Sequence, residues 1–556
     1  MRLIDTKTLE LKEFMGSSPP RYAILSHTWE EDEVSFQEFT SLTRAELQKK
    51  KGFAKIDHTC RLARGSSISW AWIDTCCIDK TSSAELTEAI NSMYRWYAKS
   101  FVCYAYLSDL TAPKTTDDNK NLDWSKRVAK YASCRWFTRG WTLQELIAPA
   151  RLGFYNADWA FQGEKSSLSE ELAEITKISK DVLQNKTPLT TVSVAQRMSW
   201  ASSRQTTREE DMAYCLLGIF DVQIPLLYGE GGPKAFLRLQ EEIVKELNDL
   251  SLFAWRWNNP DTTTRKQKYA GILATSPGDF ADSGDIILTR DSMYNNECAV
   301  TSKGLRFTPV ADGGLRLGGS STDDVQNNTY VMYLHCRRRW SSEASVLGIS
   351  LRQHGCDVYT RVQADSPLQE RDHHKREKKK RVFYIIKTVS PEKSIDLGSS
   401  HRFGINLSGA IKAFSSIHFY PGSFEPAGHW DEQQQLFLVQ DSAKFIGDAH
   451  FYLFGRLKSI PKQLRLELQC RLSPEKKGLE VKVDIVDDSN ADVELQTRLT
   501  TRRRMGQNRM AGFLSVGTSL RAVDGQPVYF VEAELLMSET AIANIMRSFI
   551  ASFEET

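Results

Sequence analysis

The chain has 556 residues, too many for one hydrophobic core, and roughly two to four domains is the natural expectation. A composition of 41% hydrophobic, 26% charged and 10% aromatic residues is that of a globular protein, and a net charge of +2 argues against a dedicated nucleic-acid binder. No apolar run approaches the ~18–20 residues that span a bilayer, and the N-terminus lacks a signal peptide's uninterrupted apolar stretch. Ten cysteines without framework spacing fit a reducing compartment, so the expected location is cytoplasmic.

Four short runs that end in polar residues read as buried strands: "YAILSHTW" (22–29), "ISWAWIDTCCID" (68–79), "FVCYAYLSDL" (101–110) and "ARLGFYNADW" (150–159). Between the second and third, Leu86, Ile90, Met93, Tyr94 and Tyr97 recur at helical spacing. This alternation predicts an α/β N-terminal domain over 1–257, with a mostly parallel sheet covered on both faces and a core at about 1–160. A helical extension follows at about 160–257, where "REEDMAYCLLGIF" (208–220) and "PKAFLRLQEEIVKEL" (233–247) are the clearest helices. "NNPDTTTRKQ" (258–267) reads as a linker. Beyond it, roughly ten β-type runs, many of them alternating, predict a mainly β C-terminal domain over 258–556, an antiparallel sandwich or barrel closed by a short helix at 538–553. The basic run "HHKREKKKR" (373–381) reads as a solvated hairpin loop, with nuclear localisation or an anionic contact as the minority reading.

In an open α/β sheet, ligands sit beyond the carboxyl ends of the strands. Those ends are Ser26-His27-Thr28-Trp29, Asp74-Thr75-Cys76-Cys77, Ser108-Asp109 and Asn156-Ala157-Asp158-Trp159. They are polar and aromatic enough for a cleft, and equally for any strand exit. A metal site from His27, Cys60, Cys76 and Cys77 lacks ligand spacing, and neighbouring cysteines on a strand would point to opposite faces, so buried thiols are the better reading. No G-x-S-x-G elbow is present, and Ser26 and His27 would diverge on a strand. "YGEGGPKAF" (228–236) places glycines and Lys234 where a phosphate could bind, yet it does not match the P-loop pattern, and a helix-entry turn is favoured.

The stretch "RGWTLQELIAPARLGFY" (139–155) reads as a short helix running into a strand. At roughly 100° per residue, Leu143, Leu146 and Ile147 share one face, with Glu145 on the other and Trp141 one turn before it. Spacing alone makes Glu145 a solvated surface residue. An indole beside it raises the alternative, in which Trp141 is the wall of a site.

The segments "RYAILSHTW" (21–29), "WAWIDTCCIDK" (70–80), "SMYRWYAKSFVCYAYLSD" (92–109), "RWFTRGWTLQELIAP" (135–149) and "SVAQRMSWASSRQTTREEDMAYCLLGIFDVQIPLLYGEG" (193–231) occur in order. Together they resemble the fungal heterokaryon-incompatibility (HET) domain over roughly the first 250 residues. The later portion looks like the β-rich extension of some family members. The resemblance implies non-self recognition and programmed cell death, with self-association through the HET domain and a non-self or sensor protein as a partner. The HET domain is remotely similar to the TIR domain, which implies a TIR/flavodoxin-like fold. Several TIR domains hydrolyse NAD⁺ with a glutamate in a W-C-L-x-E-L segment. Here Trp141, Leu143, Glu145 and Leu146 match, and Thr142 departs.

The implied reading makes Glu145 the catalytic residue for cleavage of the nicotinamide N-glycosidic bond. NAD⁺ is then the substrate, with no separate cofactor and no metal. Ser26, His27 and Asp74 would position the substrate, and Trp29 or Trp141 would stack on a base. Desolvation should raise the Glu145 pKa while the working form stays ionised. The rival reading is a non-enzymatic HET/TIR-like scaffold that signals by self-association.

Overall fold

The computed structural model describes residues 1–16, 19–111, 124–257, 267–289, 296–309, 317–319, 329–355, 357–372, 382–399, 402–409, 419–425, 429–431, 436–440, 445–453, 464–473, 478–487, 499–501, 514–523 and 526–535. The expected linker at 258–267 (all but its last residue), the basic run 373–381 and the helix at 538–553 lie outside the described residues.

The N-terminal sheet has seven strands: β1 (Arg2–Asp5), β2 (Leu11–Glu13), β3 (Tyr22–His27), β4 (Trp70–Trp72), β5 (Val102–Tyr106), β6 (Leu152–Tyr155) and β7 (Phe161–Glu164). Their spatial order is β2-β1-β4-β3-β5-β6-β7. The central four are parallel, while β1 and β2 extend one edge and β7 the other in antiparallel fashion. The sheet is therefore mixed, with a parallel centre. Every residue of β3 is buried, as a strand covered on both faces requires.

The connections place the site. The helix Phe53–Gly65 lies between β3 and β4, and the helix Ser83–Lys99 between β4 and β5. The second helix starts at Ser82, whose hydroxyl accepts the Glu85 N–H at 3.3 Å, and it buries Ala89, Ile90, Met93 and Tyr97. These crossovers run in opposite directions across the sheet, so right-handed connections put their helices on opposite faces. The divergence point lies between β3 and β5.

Two sequence expectations need correction. The second strand stops at Trp72, and Asp74–Cys77 is a helical turn, closed by the Cys77 N–H on the Ile73 carbonyl at 2.9 Å. Cys76 and Cys77 are therefore not on a strand, although both are buried, as is Cys60. The 208–220 pattern resolves into two short helices, Asp211–Tyr214 and Leu217–Phe220, instead of one. The helix Gly232–Glu246 does carry Pro233 in its first turn.

Beyond residue 267 the chain is mostly β, in sheets of nine, two, five and five strands. Pairing is antiparallel except between Val358–Val362 and Phe383–Ile385, and between Arg402–Asn406 and Gln526–Leu535. The two five-stranded sheets share an apolar core that includes Ile405, Phe437, Phe445, Leu468 and Val481. A larger cluster runs continuously from Leu3 to Ile385. Within it the Gln240 amide exchanges two hydrogen bonds, each 2.9 Å, with the Ala274 backbone. The Arg361 guanidinium donates to the Phe253 and Trp255 carbonyls and lies 3.9 Å from the Trp255 ring centre. No helix among the described residues is long and apolar enough to cross a membrane.

Candidate active site at the carboxyl ends of the parallel strands

Residues 139–147 are pinned before they reach the sheet. The Gly140 N–H donates to the Gln205 carbonyl at 2.8 Å, and the Gln205 N–H to the Thr138 carbonyl at 2.7 Å. Only glycine fits this approach, because a Cβ at residue 140 would lie 2.5 Å from Thr206 Cγ2 and 3.1 Å from Cys215 Sγ. The helix Thr142–Ile147 follows, and all six of its residues are buried. Its far end is held by Lys165, a buried ammonium that donates to the carbonyls of Leu146 (3.2 Å), Ile147 (3.3 Å) and Pro149 (2.6 Å). Burial lowers the Lys165 pKa to about 8.

Glu145 is thus not the solvated residue that helix spacing predicts. It is 7% exposed, because this short helix is wrapped on every side and has no outward face. Its carboxylate accepts from the Ser26 hydroxyl near the end of β3, and that hydroxyl in turn accepts from the Trp136 indole N–H at 2.8 Å. Burial raises the Glu145 pKa to about 8. Hydrogen bonds from Ser26 and Tyr97 and the charge of Arg204 oppose the rise, and the Asp74 carboxylate adds to it. Tyr97 also donates to the Leu25 carbonyl at 3.1 Å, and Arg204 to Thr142 Oγ1 at 3.0 Å. Arg204 therefore ties the N-terminal end of the Glu145 helix to the surroundings of the carboxyl.

His27 and Asp74 complete the inner layer. The His27 side chain is 1% exposed and lies between two carboxylates, with Nε2 at 3.8 Å from Glu33 and Nδ1 at 3.9 Å from Asp74. Neither ring nitrogen has a hydrogen-bond partner. Burial opposes ionisation of Glu33, but the approach of His27 and Lys55 outweighs it and holds that carboxyl at about 2. Lys55 also donates to the Thr28 carbonyl at 3.2 Å and pairs with Glu30 at 3.4 Å, fixing the loop after β3. Among the described residues, no three of His, Cys, Asp and Glu gather closely enough to hold a metal ion.

Of the two tryptophans expected to stack on a base, one takes a different place. The Trp141 indole N–H donates to Asp211 at 3.1 Å, and Tyr228 binds the other oxygen of that carboxylate at 2.9 Å. Trp29 belongs to the strand-end cluster: it is 49% exposed, and its N–H donates to Asp74 at 2.7 Å. A third strand-exit indole, Trp159, packs against aromatic rings of the chain itself. Trp159 has a left-handed φ of +59° and lies parallel to Tyr106 at 4.4 Å and His58 at 5.0 Å. Trp136, Glu33, Lys55, Arg204 and Lys165 carried no spacing signal, since they reach the site from separate elements, and the helical spacing of Tyr97 marked only a core-facing side chain.

The glycine loop is filled from within. Glu210 accepts the N–H groups of Gly229 (2.8 Å) and Gly231 (3.1 Å), so a carboxylate of the chain itself occupies the anion-binding position before the helix Gly232–Glu246.

Residues 22–128 match the family described as Heterokaryon incompatibility protein (HET). The chain carries a HET domain. The matched span of the HET domain contains β3, β4 and β5, and with them Ser26, His27, Trp29 and Asp74, while Glu145 follows it. Residues 234–309 match a domain of unknown function, DUF8212. The vegetative incompatibility protein HET-E-1 of Podospora anserina is 45% identical over 238 residues, which is 42% of this chain. The likeness spans 17% of that protein's length. No solved structure matches the chain.

Proposed function

We propose that this chain is a HET-domain effector of fungal non-self recognition and cell death, and that its HET domain hydrolyses NAD⁺ at the nicotinamide N-glycosidic bond. The observation that carries this reading is the placement of Glu145. It is a buried carboxyl hydrogen-bonded to Ser26 at the point where the connections of β3 and β5 diverge, which is where open α/β sheets bind ligands. The strand order β4-β3-β5-β6, second-first-third-fourth in chain order, supports the TIR/flavodoxin-like reading of the fold.

In the proposed reaction the bond between the anomeric carbon and the pyridinium nitrogen breaks, and its electron pair leaves with neutral nicotinamide. Water adds to the anomeric carbon and loses a proton, giving ADP-ribose. The departing group needs no acid, and the transition state gathers positive charge on the ribose. Ionised Glu145 stabilises that charge and takes the proton from water. At neutral pH the free protein holds Glu145 mostly protonated, because its pKa is raised to about 8. A cationic pyridinium placed beside it pulls that value down, so the substrate itself favours the working form.

A second reading also has an observation in its favour. A neutral, buried, hydrogen-bonded carboxyl serves equally as a core residue of a HET domain that signals by self-association alone. Expression of the wild type and of Glu145→Gln in fungal cells separates the two readings. The enzymatic reading expects NAD⁺ depletion and death with the wild type and neither with the variant. Killing that persists in the variant, without NAD⁺ loss, contradicts it and supports the scaffold.

A further inference from the structure

Trp29 stands half exposed beyond β3, with its N–H fixed by Asp74, and the Lys80 ammonium rests 3.4 Å from its ring centre. An indole face is electrostatically negative, so Trp29 already holds a cation supplied by the chain itself. Lys80 lies at the surface, while its ammonium, seated on the indole, is desolvated enough that its pKa is lowered. Close to this pair lies His27, with its side chain 1% exposed and both nitrogens lacking hydrogen-bond partners, facing Asp74 at 3.9 Å and Glu33 at 3.8 Å. Buried polar atoms without protein hydrogen-bond partners are costly, so His27 gains from any group that can hydrogen-bond to it. Asp74, which fixes the Trp29 N–H, is also close enough to Glu145 to oppose its ionisation, so the subsite and Glu145 share one carboxylate neighbour.

We propose that the Lys80 ammonium is the resting occupant of a cation subsite on Trp29, and that a planar organic cation replaces it when ligand binds. The identity of that cation rests on the NAD⁺ reading: the oxidised nicotinamide ring is a pyridinium, whereas the reduced ring is neutral. The Trp29 face, Asp74 and Lys80 then set a preference for the oxidised cofactor over the reduced one, and Lys80 acts as the displaceable competitor.

Titration calorimetry with 1-methylnicotinamide, a pyridinium cation, and neutral nicotinamide tests the subsite without requiring turnover. The cation should bind the wild type about three- to tenfold more tightly than the neutral ring, as expected for a cation held on an indole. Lys80→Met should tighten cation binding by a similar factor, about three- to tenfold, and leave nicotinamide unaffected. Trp29→Ala, at an exposed position that preserves the core, should abolish the preference. Equal affinities for the two rings, or a Lys80→Met variant that binds the cation no better, would overturn the inference. Cation preference in a protein that does not cleave NAD⁺ supports the subsite and contradicts only the hydrolysis reading. Cleavage without cation preference does the reverse.

Discussion

Glu145 is the residue on which the proposed chemistry and the stability of the N-terminal domain meet. A buried carboxyl whose folded pKa is about 8 keeps a proton that the unfolded chain gives up near the ordinary value of 4.5. Its favourable contribution is full below 4.5 and is lost as pH rises from there through about 8, because over that range the unfolded chain ionises the carboxyl while the desolvated native one stays protonated. Glutamine keeps the shape without the charge. Chemical denaturation from pH 5 to pH 9 should therefore show Glu145→Gln gaining stability relative to wild type as pH rises, by on the order of 4 kcal/mol across the window. A difference that stays flat with pH would show that Glu145 is solvated. Sequence spacing could not reveal this burial: a helical wheel shows which residues share a face, not that a six-residue helix is enclosed on both faces.

At the scale of elements, the helix Thr142–Ile147 is positioned from its two ends. Lys165 supplies donors to three carbonyls at the C-terminal end, and Lys165→Met leaves buried acceptors unpaired. A loss of about 1–3 kcal/mol in thermal or urea unfolding is expected. At the other end, Gly140→Ala drives a methyl group against Thr206 Cγ2 and should cost about 1–3 kcal/mol. Thr206→Ser removes that methyl, so the double variant should recover part of the loss, and strict additivity of the two changes would contradict the contact. The strand order was only partly legible at this scale. Apolar runs identified β3, β4, β5 and β6. The edge hairpin β1–β2 was missed because β2, Leu11-Lys12-Glu13, is mostly polar and lies at the sheet margin. Ser26, His27 and Asp74 were legible as strand exits, whereas the tie between Trp141 and Asp211 was not, because the two lie 70 positions apart in the chain.

At the scale of the whole molecule, the continuous core from Leu3 to Ile385 makes the β-rich residues it includes, such as Ile272, Phe307, Leu351 and Phe383, structural partners of the N-terminal half. A chain cut after residue 257 loses Arg361, which holds the carbonyls of Phe253 and Trp255, and loses the Ala274 backbone that satisfies Gln240. That truncation should aggregate or unfold at markedly lower temperature. One cut after residue 399 keeps these contacts and should retain the thermal midpoint of the first core; equal behaviour of the two would contradict a shared core.

The most direct test of the account is nicotinamide release from NAD⁺ by the full chain at high protein concentration, followed from pH 6 to pH 9 beside Glu145→Gln. The account predicts release that rises with pH to a plateau, through an apparent pKa at or below about 8, and a variant that is inactive throughout while still folded. No release at any pH, or release that survives in Glu145→Gln, would contradict it.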